Sequence, residues 1–262
     1  MQAVAAPALV PAIRARQAAV RFDSTGRSIT ALQDIDLQVA QGEFLTLLGP
    51  SGSGKSTLLR AIADLVPASS GSIEVLGMSP HEARVRRDIA FVFQDPALLP
   101  WRSALQNVTL PLQVGGGASR PGPRSPRELL AMVGLQDRAD AWPHQLSGGQ
   151  RQRVALARAL VGAPRVLLMD EPFAALDEMT RERVQEELLR VWRQAGVTIL
   201  FVTHSIQEAA FLGQRVLLLA AEPGRVREQV RVDLPADRTA AVRDSVEFVR
   251  VTAHLRRVLA SC

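Results

Sequence analysis

Apolar positions along the chain follow two periods. The uninterrupted runs Phe44–Leu48, Ile89–Phe93, Val166–Met169, Val197–Val202 and Val216–Leu219 predict strands buried on both faces. Ala18–Asp23 and Ile35–Val39 alternate apolar with polar residues, which predicts strands with one wet face. Lys55–Leu65, Trp101–Leu112, Arg127–Val133, Gly148–Val161, Glu178–Gln194 and Ser205–Leu212 read as helices. Strand and helix alternate on either side of a helical stretch at about 96–162. The pattern predicts an α/β domain over 18–233, with a largely parallel sheet and an inserted helical subdomain. Gly115–Pro123 predicts a surface loop without regular structure. Residues 1–17, interrupted by Pro7 and Pro11, predict a loose tail. From Leu234, over 234–262, arginines alternate with valine and leucine and predict a polar terminal helix.

With 262 residues and 47% apolar content, the chain can build one large core. No apolar run is long enough to cross a bilayer. The arginines of the N-terminal stretch, Arg14 and Arg16, come late, the reverse of a secretory signal. Cys262 is the only cysteine, so no internal disulfide forms and a reducing compartment is expected. The net charge of +5 is spread among acidic residues, as on a solvated surface.

Of the 31 basic residues only Lys55 is a lysine, and it ends the glycine-rich run Gly49-Pro50-Ser51-Gly52-Ser53-Gly54-Lys55-Ser56-Thr57. The loop lies between a buried strand and a helix. Its glycines let backbone amides curl inward around phosphate, and Ser56 offers a hydroxyl to Mg²⁺. A slim ammonium reaches β- and γ-phosphates where a planar guanidinium is too wide. Asp170 and Glu171 end the buried run Val166–Met169. That edge of a parallel sheet is where ligands bind. Asp170 is placed to hold Mg²⁺ through water, and Glu171, pointing elsewhere, to polarise an attacking water. Leu146-Ser147-Gly148-Gly149-Gln150 opens a helix: Ser147 reads as its cap, and free amides there can bind an anion.

These motifs, with His204 at the end of another buried strand, stand in the order and spacing of ATP-binding cassette (ABC) ATPases. The resemblance spans about Ala18 to Arg225. It implies a P-loop NTPase fold, an ABC-type nucleotide-binding domain with an N-terminal antiparallel β subdomain. It also implies a head-to-tail homodimer with two ATP sites. Each site would pair the phosphate loop of one copy with Leu146–Gln150 of the other. By resemblance Gln94 touches Mg²⁺ and the attacking water, and His204 contacts the γ-phosphate. Asp177, in Ala174-Ala175-Leu176-Asp177, lies at the dimer interface. The chain has no tyrosine, so Phe22 takes the place of the adenine-stacking aromatic. Read alone, Gln94 is a strand-end glutamine, Asp177 a helix cap, His204 a structural histidine and Phe22 a core residue.

Gln94-Asp95-Pro96-Ala97-Leu98-Leu99-Pro100-Trp101-Arg102, Phe201–Ala209 and Met179-Thr180-Arg181 resemble a narrower branch. Its members are ATPases of bacterial importers for nitrate, taurine, alkanesulfonates and related small solutes, with some relatives importing a thiamin pyrimidine precursor. Glu222 stands where that branch commonly has arginine. The resemblance implies docking of Leu99, Pro100, Trp101 and Arg102 on two integral membrane permease subunits. Those would be fed by an extracytoplasmic solute-binding protein. The chain would sit peripherally on the cytoplasmic face of the bacterial inner membrane and bind no nucleic acid. Trp101 alone reads equally as a cap on the subdomain core. Two rivals stand beside this reading: a soluble ABC ATPase acting on nucleic acid or ribosomes, and a P-loop kinase for a small molecule, which has no use for Ser147–Gln150.

Overall fold

A computed structural model describes residues 10–24, 27–114, 122–174, 176–235 and 237–262. β1 (Ile13–Ser24) and β2 (Arg27–Val39) form a hairpin, and β3 (Phe44–Leu48) runs through the glycine loop into α1 (Lys55–Ile62). β4 (Ser70–Val75), α2 (Pro80–Val85) and β5 (Ile89–Val92) follow. The helical stretch comprises α3 (Ala104–Gln113), α4 (Pro126–Met132) and α5 (Gly148–Leu160). β6 (Val166–Asp170), α6 (Glu178–Ala195), β7 (Thr198–Thr203), α7 (Ile206–Leu212), β8 (Arg215–Ala220), β9 (Arg225–Arg231) and α8 (Val246–Leu259) complete the chain.

Two sheets result. One has the order β5-β6-β7-β3-β8-β9, parallel except for β9, which pairs antiparallel with β8. The other is antiparallel, in the order β2-β1-β4. Both faces of the parallel sheet are covered, and the pleat divides its residues between two cores. Phe44, Leu48, Leu167, Met169, Ile199 and Phe201 face the side of α3–α8. Leu45, Leu47, Val166, Leu168, Leu200 and Val202 face α1 and the antiparallel sheet. Hence these strands read as continuous apolar runs. The glycine loop, Asp170 and Thr203 all fall at the carboxyl ends of β3, β6 and β7, which are adjacent in the sheet.

Several expectations are corrected. The loose tail stops short of residue 12. Ala12 and Ile13 are fully buried, and Ile13 pairs with both Val39 and Val75; residues 1–9 lie outside the described ones. β4 was not expected, because Ser70-Gly71-Ser72 look like helix punctuation. Gly71 instead takes φ +74° beneath the Gln17 carbonyl, where a Cβ would sit 2.2 Å from oxygen. β9 was also missed: it is an edge strand whose exposed positions are largely arginine, a charge pattern that protects sheet edges. Of the loop expected at Gly115–Pro123, residues 115–121 lie outside the described ones.

The terminal helix starts later than Leu234 and is not polar throughout. α8 buries Phe248, Leu255 and Val258 and packs on α7 and β8. Arg238, ahead of it, is buried and donates to Ala210 O (3.3 Å), Phe211 O (2.7 Å) and Gly213 O (2.9 Å). Those carbonyls are the free acceptors at the C-terminus of α7, where the helix dipole favours a cation. Burial lowers the Arg238 guanidinium to about 10.

Candidate nucleotide site

The phosphate loop admits only glycine at two points. At Gly49 a Cβ would meet Leu219 O at 2.5 Å. At Gly54, with φ +82°, it would meet Leu32 Cδ2 at 2.5 Å and Ala31 O at 2.7 Å. Gly54 stands immediately before α1, so its left-handed turn sets the angle at which the helix N-terminus meets the loop. Lys55 is only 6% exposed. Its Nζ donates to Gly49 O and Pro50 O, each at 2.8 Å, and to Ser53 Oγ at 3.3 Å. Burial pushes the ammonium below its ordinary value, opposed by the charges of Glu171 and Asp170. A buried cation at a helix N-terminus, inside a curled backbone, is built for an anion.

Asp170, the buried last residue of β6, accepts the Ser56 hydroxyl at 2.7 Å on Oδ1. Glu171 follows at φ 43°, a left-handed conformation costing a non-glycine residue about 1–2 kcal/mol. The twist separates two consecutive carboxylates. Asp170 turns to the loop, and Glu171 Oε2 lies 3.2 Å from His204 Nδ1. The Glu171 amide still reaches Val202 O at 3.1 Å, so the turn remains fastened to β7. Ser56 and Asp170 present hard oxygen donors side by side, a set that fits Mg²⁺ with phosphate and water as its other ligands.

The other expected residues divide. Phe22 is 43% exposed near the tip of the β1–β2 hairpin, opposite Ile29, and is not a core residue. Gln94 is exposed just beyond β5. Among the described residues no hydrogen bond joins Leu146–Gln150 to the chain's own phosphate loop. Ser147 Oγ accepts Gln150 N (3.2 Å), and Gln150 Oε1 accepts Ser147 N (2.9 Å). Leu146 is buried, and Gly149 is packed where a Cβ would lie 2.7 Å from Thr180. Asp177 caps α6, its Oδ1 accepting Thr180 N at 3.0 Å. That bond holds its carboxyl below the usual range.

Trp101 is 67% exposed, so it does not cap the subdomain core. Its loop is shaped by Asn107, a fully buried residue of α3 not singled out by pattern. Asn107 Oδ1 accepts Leu99 N (2.8 Å), and Nδ2 faces Leu99 O, Arg102 O and Ser103 O at 3.2, 2.9 and 3.0 Å. Arg158 of α5 likewise grips Pro96 O and Ala97 O at 2.6 and 2.9 Å. The only sequence signal for Asn107 is a polar residue on the apolar face of a predicted helix. On the other side of Arg158 a groove of about 530 Å³ is lined by Phe91, Phe93, Leu110, Pro111 and Val114 together with Arg86, Arg87 and Arg165. Phe91 and Phe93 stack at 4.3 Å.

Comparison with known proteins agrees with this geometry. The family model described as ABC transporter matches residues 32–174. An uncharacterized ABC transporter ATP-binding protein of Methanocaldococcus jannaschii is 44% identical over 240 residues, covering 91% of this chain and 87% of its own. A taurine import ATP-binding protein of Rhizobium johnstonii is 42% identical over 243 residues, covering 90% and 91%. An aliphatic sulfonates import ATP-binding protein of Cupriavidus necator is 48% identical over 233 residues, covering 88% and 73%. A solved dimeric ATP-binding cassette in a post-hydrolysis state, bound to ADP and Pi, superposes with TM-score 0.73 at 33% identity. It covers 85% of this chain and all of its own. With its phosphate loop, paired carboxylates and strand-end histidine gathered at one sheet edge, the chain belongs to the ABC transporter ATP-binding family.

Proposed function

We propose that this chain is the ATP-hydrolysing subunit of an importer for taurine, alkanesulfonates, nitrate or a related small solute. The convergence of Lys55, Ser56, Asp170, Glu171 and His204 at adjacent strand ends carries the reading. Lys55 and the loop amides of Gly49–Thr57 would hold the β- and γ-phosphates, with Phe22 stacking on the base. Ser56 and Asp170, with Gln94, would hold Mg²⁺, which neutralises phosphate charge when bound. Glu171 would take a proton from water attacking the γ-phosphate, and His204, 3.2 Å from that carboxylate, would contact the γ-phosphate. Among the described residues Leu146–Gln150 makes no hydrogen bond to its own chain's phosphate loop. Its exposed helix start suits the phosphates of a second copy, with Asp177 at the same interface. Two copies would close on two ATP molecules and open after hydrolysis.

The motion would pass to two permease subunits through Leu99–Arg102. An exposed tryptophan with an arginine neighbour is a strong anchor for a partner helix. Among the described residues no helix is long and apolar enough to cross a membrane, so the chain would bind peripherally, on the cytoplasmic face. An extracytoplasmic solute-binding protein would deliver the cargo. The relatives' import roles favour this over the nucleic-acid and kinase rivals.

Lys55→Ala tests the site. It should abolish ATP binding and turnover while leaving the thermal midpoint close to that of the parent; undiminished turnover would overturn the assignment. Phosphate should go to water and not to a metabolite, and a multi-span membrane protein should co-purify in place of RNA or DNA.

A further inference from the structure

Glu208 lies in the first turn of α7, buried, and outside every role assigned above. Its Oε2 accepts the hydroxyl of Thr203, the residue before His204. Thr203 Oγ1 also accepts Ser205 N at 2.9 Å, and Ser205 Oγ accepts Glu208 N at 3.3 Å. Both neighbours of His204 are therefore tied to this one residue. On the other side Glu208 Oε1 lies 3.6 Å from Arg181 Nε. Arg181 in turn donates to Leu176 O at 2.7 Å, one residue before Asp177. Gln185 completes the cluster, donating to Glu208 Oε1 at 3.2 Å and accepting Arg243 at 2.7 Å. Arg243 lies over the Phe211 ring at 3.6 Å and seals the cluster from the C-terminal side.

We propose that Glu208 is a positioning residue for ATP hydrolysis: its carboxylate fastens the turn carrying His204 to the Leu176–Asp177 segment through Arg181, so the two move as one body when the site closes. The proposal rests on the role given above to His204. A carboxylate in this place is costly, since burial pushes its carboxyl up against the pull of Thr203, Arg181 and Gln185. Packing alone would be served better by an apolar side chain. What the charge adds is an ion pair, 3.6 Å long and without a hydrogen bond at Arg181 Nε, between the turn that carries His204 and the segment that leads into Asp177.

Glu208→Gln keeps an acceptor for Thr203 and removes the charge facing Arg181. In the full-length protein with ATP and Mg²⁺, kcat should fall about tenfold as the partly buried ion pair to Arg181 is lost. KM and the affinity for a fluorescent ATP analogue should stay within about twofold. On a His204→Ala background the residual single-turnover rate should fall no further, because Glu208 acts through the histidine. Parental kcat, an equal additional loss on that background, or affinity and thermal midpoint falling together would each overturn the proposal. Should Glu208→Gln fail to fold, Arg181→Met must reproduce the kcat loss, and parental turnover there counts against the link. If His204→Ala itself turns over ATP at the parental rate, the role of the histidine fails; if it is inactive while Glu208→Gln is fully active, only the present proposal fails.

Discussion

Asn107→Ala separates docking from catalysis. The side chain accepts one bond from Leu99 N and faces three carbonyls through Nδ2. An amide nitrogen has two protons, so the three carbonyl contacts amount to two full donations, one of them shared. Ser103 O keeps a second partner, Asn107 N at 2.8 Å, and loses least. The truncation therefore removes about three bonds at roughly 1 kcal/mol each. Alanine's better helix propensity returns about 0.5 kcal/mol. A net destabilisation of about 2–3 kcal/mol follows, read as a lower urea midpoint at unchanged slope. The nucleotide site is untouched, so ATP affinity should hold, while Leu99–Arg102 loses its fixed shape and co-purification with the permease should drop. A stability loss below about 0.5 kcal/mol would refute the hydrogen-bond count. Full permease recovery from the destabilised variant would refute the docking role of the loop.

Three further outcomes can be checked. Gly54→Ala forces a Cβ to 2.5 Å from Leu32 Cδ2 at φ +82°; strain and overpacking should cost about 2–4 kcal/mol and abolish ATP binding in a titration with labelled nucleotide. Glu171→Gln should bind ATP normally, lose turnover by about 10²–10⁴-fold and run as a dimer in ATP by light scattering; monomer at saturating ATP would count against the interface. Burial raises the Glu187 carboxyl, against the pull of Arg153, Arg190 and Arg183. A raised folded-state value means stability present below the unfolded value of about 4.3 and lost as pH climbs through the folded one. Urea midpoints of Glu187→Gln and the parent should thus converge near pH 4, with the variant ahead at neutral pH; a constant gap would show that Glu187 does not titrate in this window.

How much was legible depended on how local the deciding contacts are. The strands of the parallel sheet read directly, since burial on both faces leaves an apolar residue at almost every position. Asp170 and Glu171 were legible for the same reason: charges ending such a run must emerge at a sheet edge. The antiparallel sheet was harder. β1 begins with Ile13-Arg14-Ala15-Arg16, where small and charged residues hide a buried face. β4 opens on three residues that match a turn. Pairing with β1 makes them strand, including the Gly71 close approach that no other residue could occupy. Leu146–Gln150 shows a different limit. Its cap is a property of four consecutive residues, whereas the role proposed for it toward phosphate would need a second chain.

The arginines show where pattern reading stops. Lys55 stands out because the glycines around it are adjacent in sequence and demand a slim cation. Arg238 and Arg243 have equally specific places, yet their partners come from α6 and α7, dozens of residues away. Before α7 forms, the carbonyls of Ala210, Phe211 and Gly213 have no common direction, and nothing marks Arg238 among its many neighbours of the same type. Once α7 forms, three acceptors converge at its C-terminus, and one terminal nitrogen of the buried guanidinium shares its two protons among them. The C-terminal segment is thus fastened to the end of the helix whose first turn follows His204. A segment that reads as a polar tail becomes one wall of the element on which the histidine is mounted.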